Sequence, residues 1–394
     1  MSLTPEWTDS SDNVYTALGV PCVINAATTR TSLGGSLMPE TVVRAMAGAA
    51  EHFVGLSELH EVVGRRIAAL TRNEAAHVTG GCAAAIALSV LAAMIRGRAE
   101  LVARPPASDG LPVEVIVDRS HHVPYLPAIE LVGGEIVTIG SQSGTRPEHL
   151  SEAISSRTAA VFWVEKPNFD GSAIPLELTI EIAHAEGVPV IVDAAAQLPP
   201  MHNLWRFTTD MGADLAVFSG GKGLRGPQSS GLIVGSANYV SACVANASPN
   251  TGLARAMKVG KEEIVGLLVA LETYLESDEA SSIELYHATC ARWVAEVGRC
   301  PGLTASVENT NSSGQPTPRV RIELEIAETG IDAIEMQEQL WANVPRIAVQ
   351  EDSLAVFYIT PDTLKQGEVG LVAKAIVALL ETARSDGEVI HRPQ

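Results

Sequence analysis

Basic charge is scarce in this chain. Its 394 residues carry 27 Lys and Arg against 46 Asp and Glu, a formal net charge of −19. That balance repels a nucleic-acid backbone, so nucleic acid is not expected as a partner. Cysteine is also scarce. Cys22, Cys82, Cys243, Cys290 and Cys300 are scattered, and none forms a C-x-x-C pair. The pattern argues against a disulfide framework and against a cysteine zinc site, so no metal is expected, and it suits a reducing, cytoplasmic compartment. Long apolar runs are missing too: none reaches the ~20 residues that cross a bilayer, and no membrane partner is expected. Met1 to Asn13 is polar and acidic, without a signal-peptide pattern. Neither internal repeats nor low-complexity tracts occur. What the chain does have is hydrophobic content, 46% of residues. This supports a sizeable core in two domains, or in one large domain with a smaller lobe.

The pattern along the chain alternates. Val23 to Ala27 is a short extended run that leads into a loop at Gly34-Gly35-Ser36. Pro39 to His52 and Glu58 to Leu70 carry apolar residues at helical spacing. His77-Val78-Thr79 then meets Gly80-Gly81 and a small-residue helix, Ala83 to Ile95. Strand-like runs follow at Val113–Val117, Glu135–Ile139, Ala159–Val164, Val188–Val192, Leu215–Ser219 and Ser230–Val234. Helical runs separate several of them, at Tyr125–Leu131, Pro147–Ile154 and Thr179–Glu186. Near-continuous apolar strands alternating with helices predict a mostly parallel α/β sheet covered on both faces. Glu262 to Glu276 reads as a long helix leading to a C-terminal α+β lobe. In that lobe Arg319–Ile326 alternates, Leu354–Ile359 is strand-like and Glu368–Thr382 is an amphipathic helix, with a surface loop at 309–318.

Ligands of such sheets gather at the carboxyl ends of the strands. Gly80-Gly81, His121, Asp193 and Lys222 all fall just after strand-like runs. A lysine at one strand end and an aspartate at another suit pyridoxal phosphate (PLP): the lysine forms the Schiff base and the aspartate holds the pyridinium nitrogen protonated. The plain alternatives are an exposed-turn lysine and a helix-capping aspartate before Ala194-Ala195-Ala196. A Walker loop is excluded, because Ala216 stands at its first glycine position and Gly223 at its Ser/Thr position. Thr79-Gly80-Gly81-Cys82 opens a helix and suits a phosphate, to which Ser219 can add a hydroxyl. Gln197 is placed to reach the cofactor's phenolic oxygen, or is a plain helix residue. His121 or His122 suits stacking on the ring, and the sequence does not choose between them. Arg255 and Lys258 are candidates for an anionic substrate group, or are solvated surface charges. Arg346, Arg319 and Arg321 are further carboxylate-binding candidates.

Asp193, the Ser219-Gly220-Gly221-Lys222 segment with Gly226-Pro227-Gln228, the stretch Ala254-Arg255-Ala256-Met257-Lys258-Val259-Gly260-Lys261 and the opening Val23-Ile24-Asn25-Ala26 together resemble the bacterial selenocysteine synthase family of PLP enzymes. The resemblance runs from about Val23 to the C-terminus. It implies a fold-type-I, aspartate aminotransferase-like large domain with a mostly parallel seven-stranded sheet, plus a smaller α+β C-terminal domain. The domains expected are an N-terminal segment (1–50) near the active site and small domain, a PLP-binding domain (51–260), and a connecting helix with the small domain (261–394). The resemblance further implies a homodimer or higher oligomer, with Lys222 as the Schiff-base lysine, Asp193 as the ring-nitrogen partner and Arg255 in the active-site segment. Lys258 stands where the family has a second arginine. Only 22 residues precede Val23, where selenocysteine synthase carries a tRNA-binding domain. The chain is therefore more similar to the shorter members related to D-glucosaminate-6-phosphate ammonia-lyase.

The expectation is thus a PLP-dependent lyase or transferase of a small amino acid or amino-sugar acid. It would work by α,β-elimination or β-replacement through a Lys222 aldimine and a quinonoid carbanion. Aminotransferase, aldolase or racemase chemistry, and a non-catalytic PLP-fold binding protein, are the alternatives.

Overall fold

The computed structural model describes residues 13–101, 110–167 and 171–390, with side chains up to residue 384. The polar N-terminal stretch noted above lies outside them up to residue 12. Two compact units form. One takes the described residues of Met1–Gly35, Asp278–Asn311 and Pro316–Gln394, the other Ser36–Ser277 with Ser312–Gln315.

Strand β1 (Val23–Asn25) belongs to the first unit. The second unit holds β2 (Ala75–Thr79), β3 (Glu114–Asp118), β4 (Glu135–Ile139), β5 (Thr158–Val164), β6 (Val190–Asp193), β7 (Leu215–Ser219) and β8 (Gly231–Gly235). They form a seven-stranded sheet in the order β2-β8-β7-β6-β5-β3-β4. All neighbours are parallel except at β8, which runs antiparallel to both β7 and β2.

The sequence explains the two-sided burial. Along β6, Val190 and Val192 join one apolar cluster and Ile191 joins another. In β5, Val161 and Trp163 face the first cluster, while Ala160 and Phe162 face the second. Alternate side chains leave opposite faces of a strand, so each face has its own core. The first face is covered by helices Leu56–Leu70, Leu176–Ala185 and Lys261–Leu275, through Ile67, Ile180 and Leu267. The second is covered by the alanine-rich helix Cys82–Met94 and by Ala237–Asn246. Buried strands with no polar face are what parallel sheets require. The edge strand β4, half-exposed, is the exception.

The first unit continues with β9 (Leu303–Glu308), β10 (Arg319–Leu324), β11 (Arg346–Ala348), β12 (Gln350–Glu351) and β13 (Val356–Ile359). An antiparallel sheet, β12-β13-β10-β9, packs with helices Glu279–Val297, Ala333–Ala342 and Glu368–Ile390 around Trp293, Phe357 and Ile376. β1 pairs in parallel with β11. This is the α+β lobe that the C-terminal pattern suggested.

Candidate active site at the carboxyl edge of the large sheet

β2 and β7 both run antiparallel to β8, and β7, β6, β5 and β3 run parallel to one another. The carboxyl ends of β2, β3, β6 and β7 therefore share one edge, on which Thr79, Asp118, Asp193 and Ser219 are the last strand residues. The convergence expected from the sequence is present.

Lys222 sits in the turn between β7 and β8. The Gly220 N–H donates to Ser230 O at 2.9 Å, the Gly226 N–H to Gly220 O at 2.8 Å and the Arg225 N–H to Lys222 O at 2.9 Å. Ser36 binds the same turn, its N–H and Oγ donating to Gly221 O at 2.9 and 3.0 Å. These bonds fix the backbone under a half-buried lysine. Its charge is felt by both Asp193 and Cys82, which places the three together.

Asp193 is 5% exposed. Among the described residues one donor reaches its carboxylate, the Ala195 N–H at 3.0 Å. Burial pushes this carboxyl above its usual range; the Ala195 hydrogen bond and the Lys222 charge offset part of that. Residues 194–197 form a turn rather than a helix, so Asp193 caps no helix. Gln197 is buried and donates through Nε2 to Glu165 O and Ser313 O, at 2.8 and 2.9 Å. Cys82 is held well above the ordinary thiol range, chiefly by burial and then by the Asp193 charge.

Gly81 has φ +101° and stands before the first turn of helix Cys82–Met94. The Thr79 Oγ1 hydroxyl closes the turn by donating to Gly81 O at 2.9 Å. A Cβ on Gly80 would lie 3.0 Å from the carbonyl oxygens of both Met257 and Lys258. The segment carrying Arg255 and Lys258 is thus pressed against the glycine turn. Both side chains are exposed, and among the described residues neither pairs with a carboxylate.

The two histidines separate. His121 is 2% exposed and packs edge-on against Trp163, with ring centroids 4.1 Å apart. Burial pulls it down to about 4; the nearby Lys166 charge acts in the same direction and Asp118 opposes it. His122 is exposed, and its Nε2 pairs with Thr138 Oγ1 at 2.9 Å. Arg346 and Arg319 lie in the other unit, where their guanidinium groups stack on Trp341 and Tyr358. Arg321 pairs with Glu323 at 2.6 Å.

These residues fit pyridoxal phosphate. A buried carboxylate with one backbone donor suits a cationic ring nitrogen. A glycine turn at a helix N-terminus suits a phosphate, and a lysine electrostatically coupled to that carboxylate suits the aldehyde. Residues 23–287 match the family described as "SelA: L-seryl-tRNA selenium transferase".

The chain belongs to this family.

A D-glucosaminate-6-phosphate ammonia lyase of Salmonella typhimurium is 34% identical over 379 residues, 94% of this chain and 99% of that protein. A 5'-C-glycyluridine monooxygenase-decarboxylase of a Streptomyces species is 32% identical over 384 residues, 95% and 94% of the two chains. An L-seryl-tRNA(Sec) selenium transferase of Solidesulfovibrio magneticus is 30% identical over 66% of this chain and 57% of its own. Among solved structures, a D-glucosaminate-6-phosphate ammonia-lyase superimposes with a TM-score of 0.82 at 32% identity, covering 95% of this chain and all of that one. A ureidoglycine-glyoxylate aminotransferase, at 16% identity and a TM-score of 0.61, shares the fold. This family member is a PLP-dependent enzyme of fold type I.

Sequence reasoning passed over one part of the same edge. A cavity of about 480 Å³ opens at the ends of β3, β4 and β5, lined by Asp118, Arg119, Ser141, Thr145 and Lys166 among others. Asp118 ends the apolar run Val115-Ile116-Val117 as Asp193 ends Val190-Ile191-Val192. That shared pattern was the available signal.

Proposed function

We propose that the chain is a lyase that eliminates ammonia from an amino-sugar acid, acting in the cytoplasm as a homodimer. The observation that carries this reading is the electrostatic coupling of Lys222 and Asp193 at the adjacent ends of β7 and β6, in a chain 34% identical to a D-glucosaminate-6-phosphate ammonia lyase along nearly its whole length. The net charge of −19 favours a free small molecule over tRNA.

When bound, pyridoxal phosphate supplies the electron sink for charge at the substrate α-carbon. Asp193 would hold a proton at the ring nitrogen. Thr79, Gly80, Gly81, Cys82 and Ser219 would hold the phosphate, and the buried His121 rather than the exposed His122 would pack on the ring. Gln197, whose amide is tied to Glu165 O and Ser313 O, fixes the wall beside Asp193. Lys222 Nζ would hold the cofactor through its aldehyde, and its amine would be the base within reach of the substrate α-proton. Arg255 and Lys258 bind an anionic group of the substrate.

The test is a product assay on purified, PLP-loaded protein with D-glucosaminate 6-phosphate. Ammonia and a keto acid in equal amounts support elimination. Oxygen uptake with release of carbon dioxide would replace it by the chemistry named for the second relative, which is nearly as similar. Lys222→Ala should lose the visible cofactor band and the borohydride-reducible adduct. If both survive in the variant, the lysine assignment is wrong. Sedimentation of the loaded protein at micromolar concentration tests the dimer.

A further inference from the structure

The cavity beside β3 to β5 carries positive charge in an acidic chain. Among the described residues, Arg119 and Lys166 give it two positive charges against the one carboxylate of Asp118, in a chain whose net charge is −19. The Lys166 ammonium is held in the wall by a hydrogen bond to Ser120 O. Arg119 is exposed at the rim, and among the described residues no carboxylate pairs with it. Hydroxyl groups of Ser141 and Thr145 line the same space.

The inner wall has unmet hydrogen-bonding capacity. Asp118 is 6% exposed; its Oδ1 accepts from the Ser120 N–H and Oγ at 2.8 and 2.7 Å, while Oδ2 has no partner among the described residues. His121 Nδ1 is likewise buried and has no partner among the described residues. A buried polar atom left so destabilises the fold, and a ligand hydroxyl relieves that by donating to Asp118 Oδ2 and accepting from His121 Nδ1. The cavity also adjoins the reacting centre. Glu165, next to Lys166 in the chain, donates its N–H to Asp193 O at 3.0 Å.

Hydroxyls and a terminal anion on one short chain describe a phosphorylated sugar acid. We propose that this cavity is the subsite for the distal end of the substrate, a hydroxylated carbon chain ending in phosphate. Its hydroxyls meet Asp118 and His121, and its phosphate meets the cations of Arg119 and Lys166. The assignment rests on the reading of the chain as an enzyme of amino-sugar acids. It adds which part of the molecule reads the sugar and the phosphate.

D-Gluconate 6-phosphate and D-gluconate are suitable probes, because neither carries the amine that reacts. Calorimetric titration of the PLP-loaded protein should show the phosphate ester binding at least about ten-fold tighter, the worth of a charge-assisted hydrogen bond. Arg119→Gln should remove most of that preference with the visible cofactor band unchanged. Lys166→Gln, which retains a donor for Ser120 O, should do the same. A preference absent from the native protein, intact in both variants, or abolished by Arg255→Gln instead, overturns the subsite. Arg119-dependent binding without ammonia from D-glucosaminate 6-phosphate leaves the subsite standing and removes the lyase reading. Ammonia release with an unaltered preference in both variants does the reverse.

Discussion

Asp193 shows how one residue can be poorly placed for stability and well placed for chemistry. Its carboxyl is raised by burial, so the folded cofactor-free protein holds this proton more tightly than the unfolded chain. Stability from this group is therefore greatest at low pH. It declines as pH climbs from the ordinary value of 3.8 through the raised one. Asp193→Asn removes the penalty. The cofactor-free variant should melt higher than the cofactor-free native protein at pH 8, and the gap should narrow towards pH 5. Turnover of the loaded variant should fall by at least about 100-fold, the usual scale for losing a proton-holding group. A variant that melts lower at every pH would show that the carboxylate is structurally satisfied without the cofactor.

Packing between elements sets the glycine turn. A Cβ on Gly231 of β8 would lie 2.5 Å from the Gly81 carbonyl carbon and 2.7 Å from Cys82 N. Gly231→Ala must therefore push the start of helix Cys82–Met94 away from the sheet, at a cost of about 1–3 kcal/mol. Thermal melting should drop, and PLP titration followed at its visible band should show weaker retention. Unchanged retention would mean that the turn does not hold the phosphate. This constraint was only half legible beforehand. The apolar strands and the residues at their ends could be read because burial on both faces forces unbroken apolar runs, which is why β7 was expected at the bounds it has. The glycine in β8 looked like any strand residue, since its neighbour across space, Gly81, is 150 positions away in sequence. Helix Glu279–Val297 was missed for a related reason. It buries Cys290, Trp293 and Val297 and leaves most of its length polar, so its apolar stripe is confined to the last turns. The β1–β11 pair joins residues more than 300 positions apart, and no local pattern announces it. The cavity at Arg119 and Lys166 depends on strand order, which brings β3, β4 and β5 side by side.

At the scale of the whole molecule, three buried histidines of the larger unit weaken the fold in acid. His60 and His77 pack with ring centroids 4.7 Å apart, and among the described residues His60 has no partner at either ring nitrogen. Burial lowers His60. His77 falls to about 3 through burial and the neighbouring His60, and His121 falls to about 4. All three are neutral in the fold, whereas the unfolded chain takes up their protons near 6.5. Between about 4 and 6.5 the unfolded state therefore binds more protons, and stability falls as pH falls through that window. His121 alone accounts for about 3 kcal/mol at this order of magnitude, at 1.36 kcal/mol per unit. Two effects run the other way: protonation of Asp193, and relief of the self-repulsion in a chain of charge −19. The difference between variants isolates the histidines. Urea midpoints of the cofactor-free protein should drop between pH 7 and pH 5, and the drop should be smaller in His60→Gln/His77→Gln. Equal slopes in the two proteins would mean that the pair is protonated in the fold or already solvated, and that the acid response arises elsewhere.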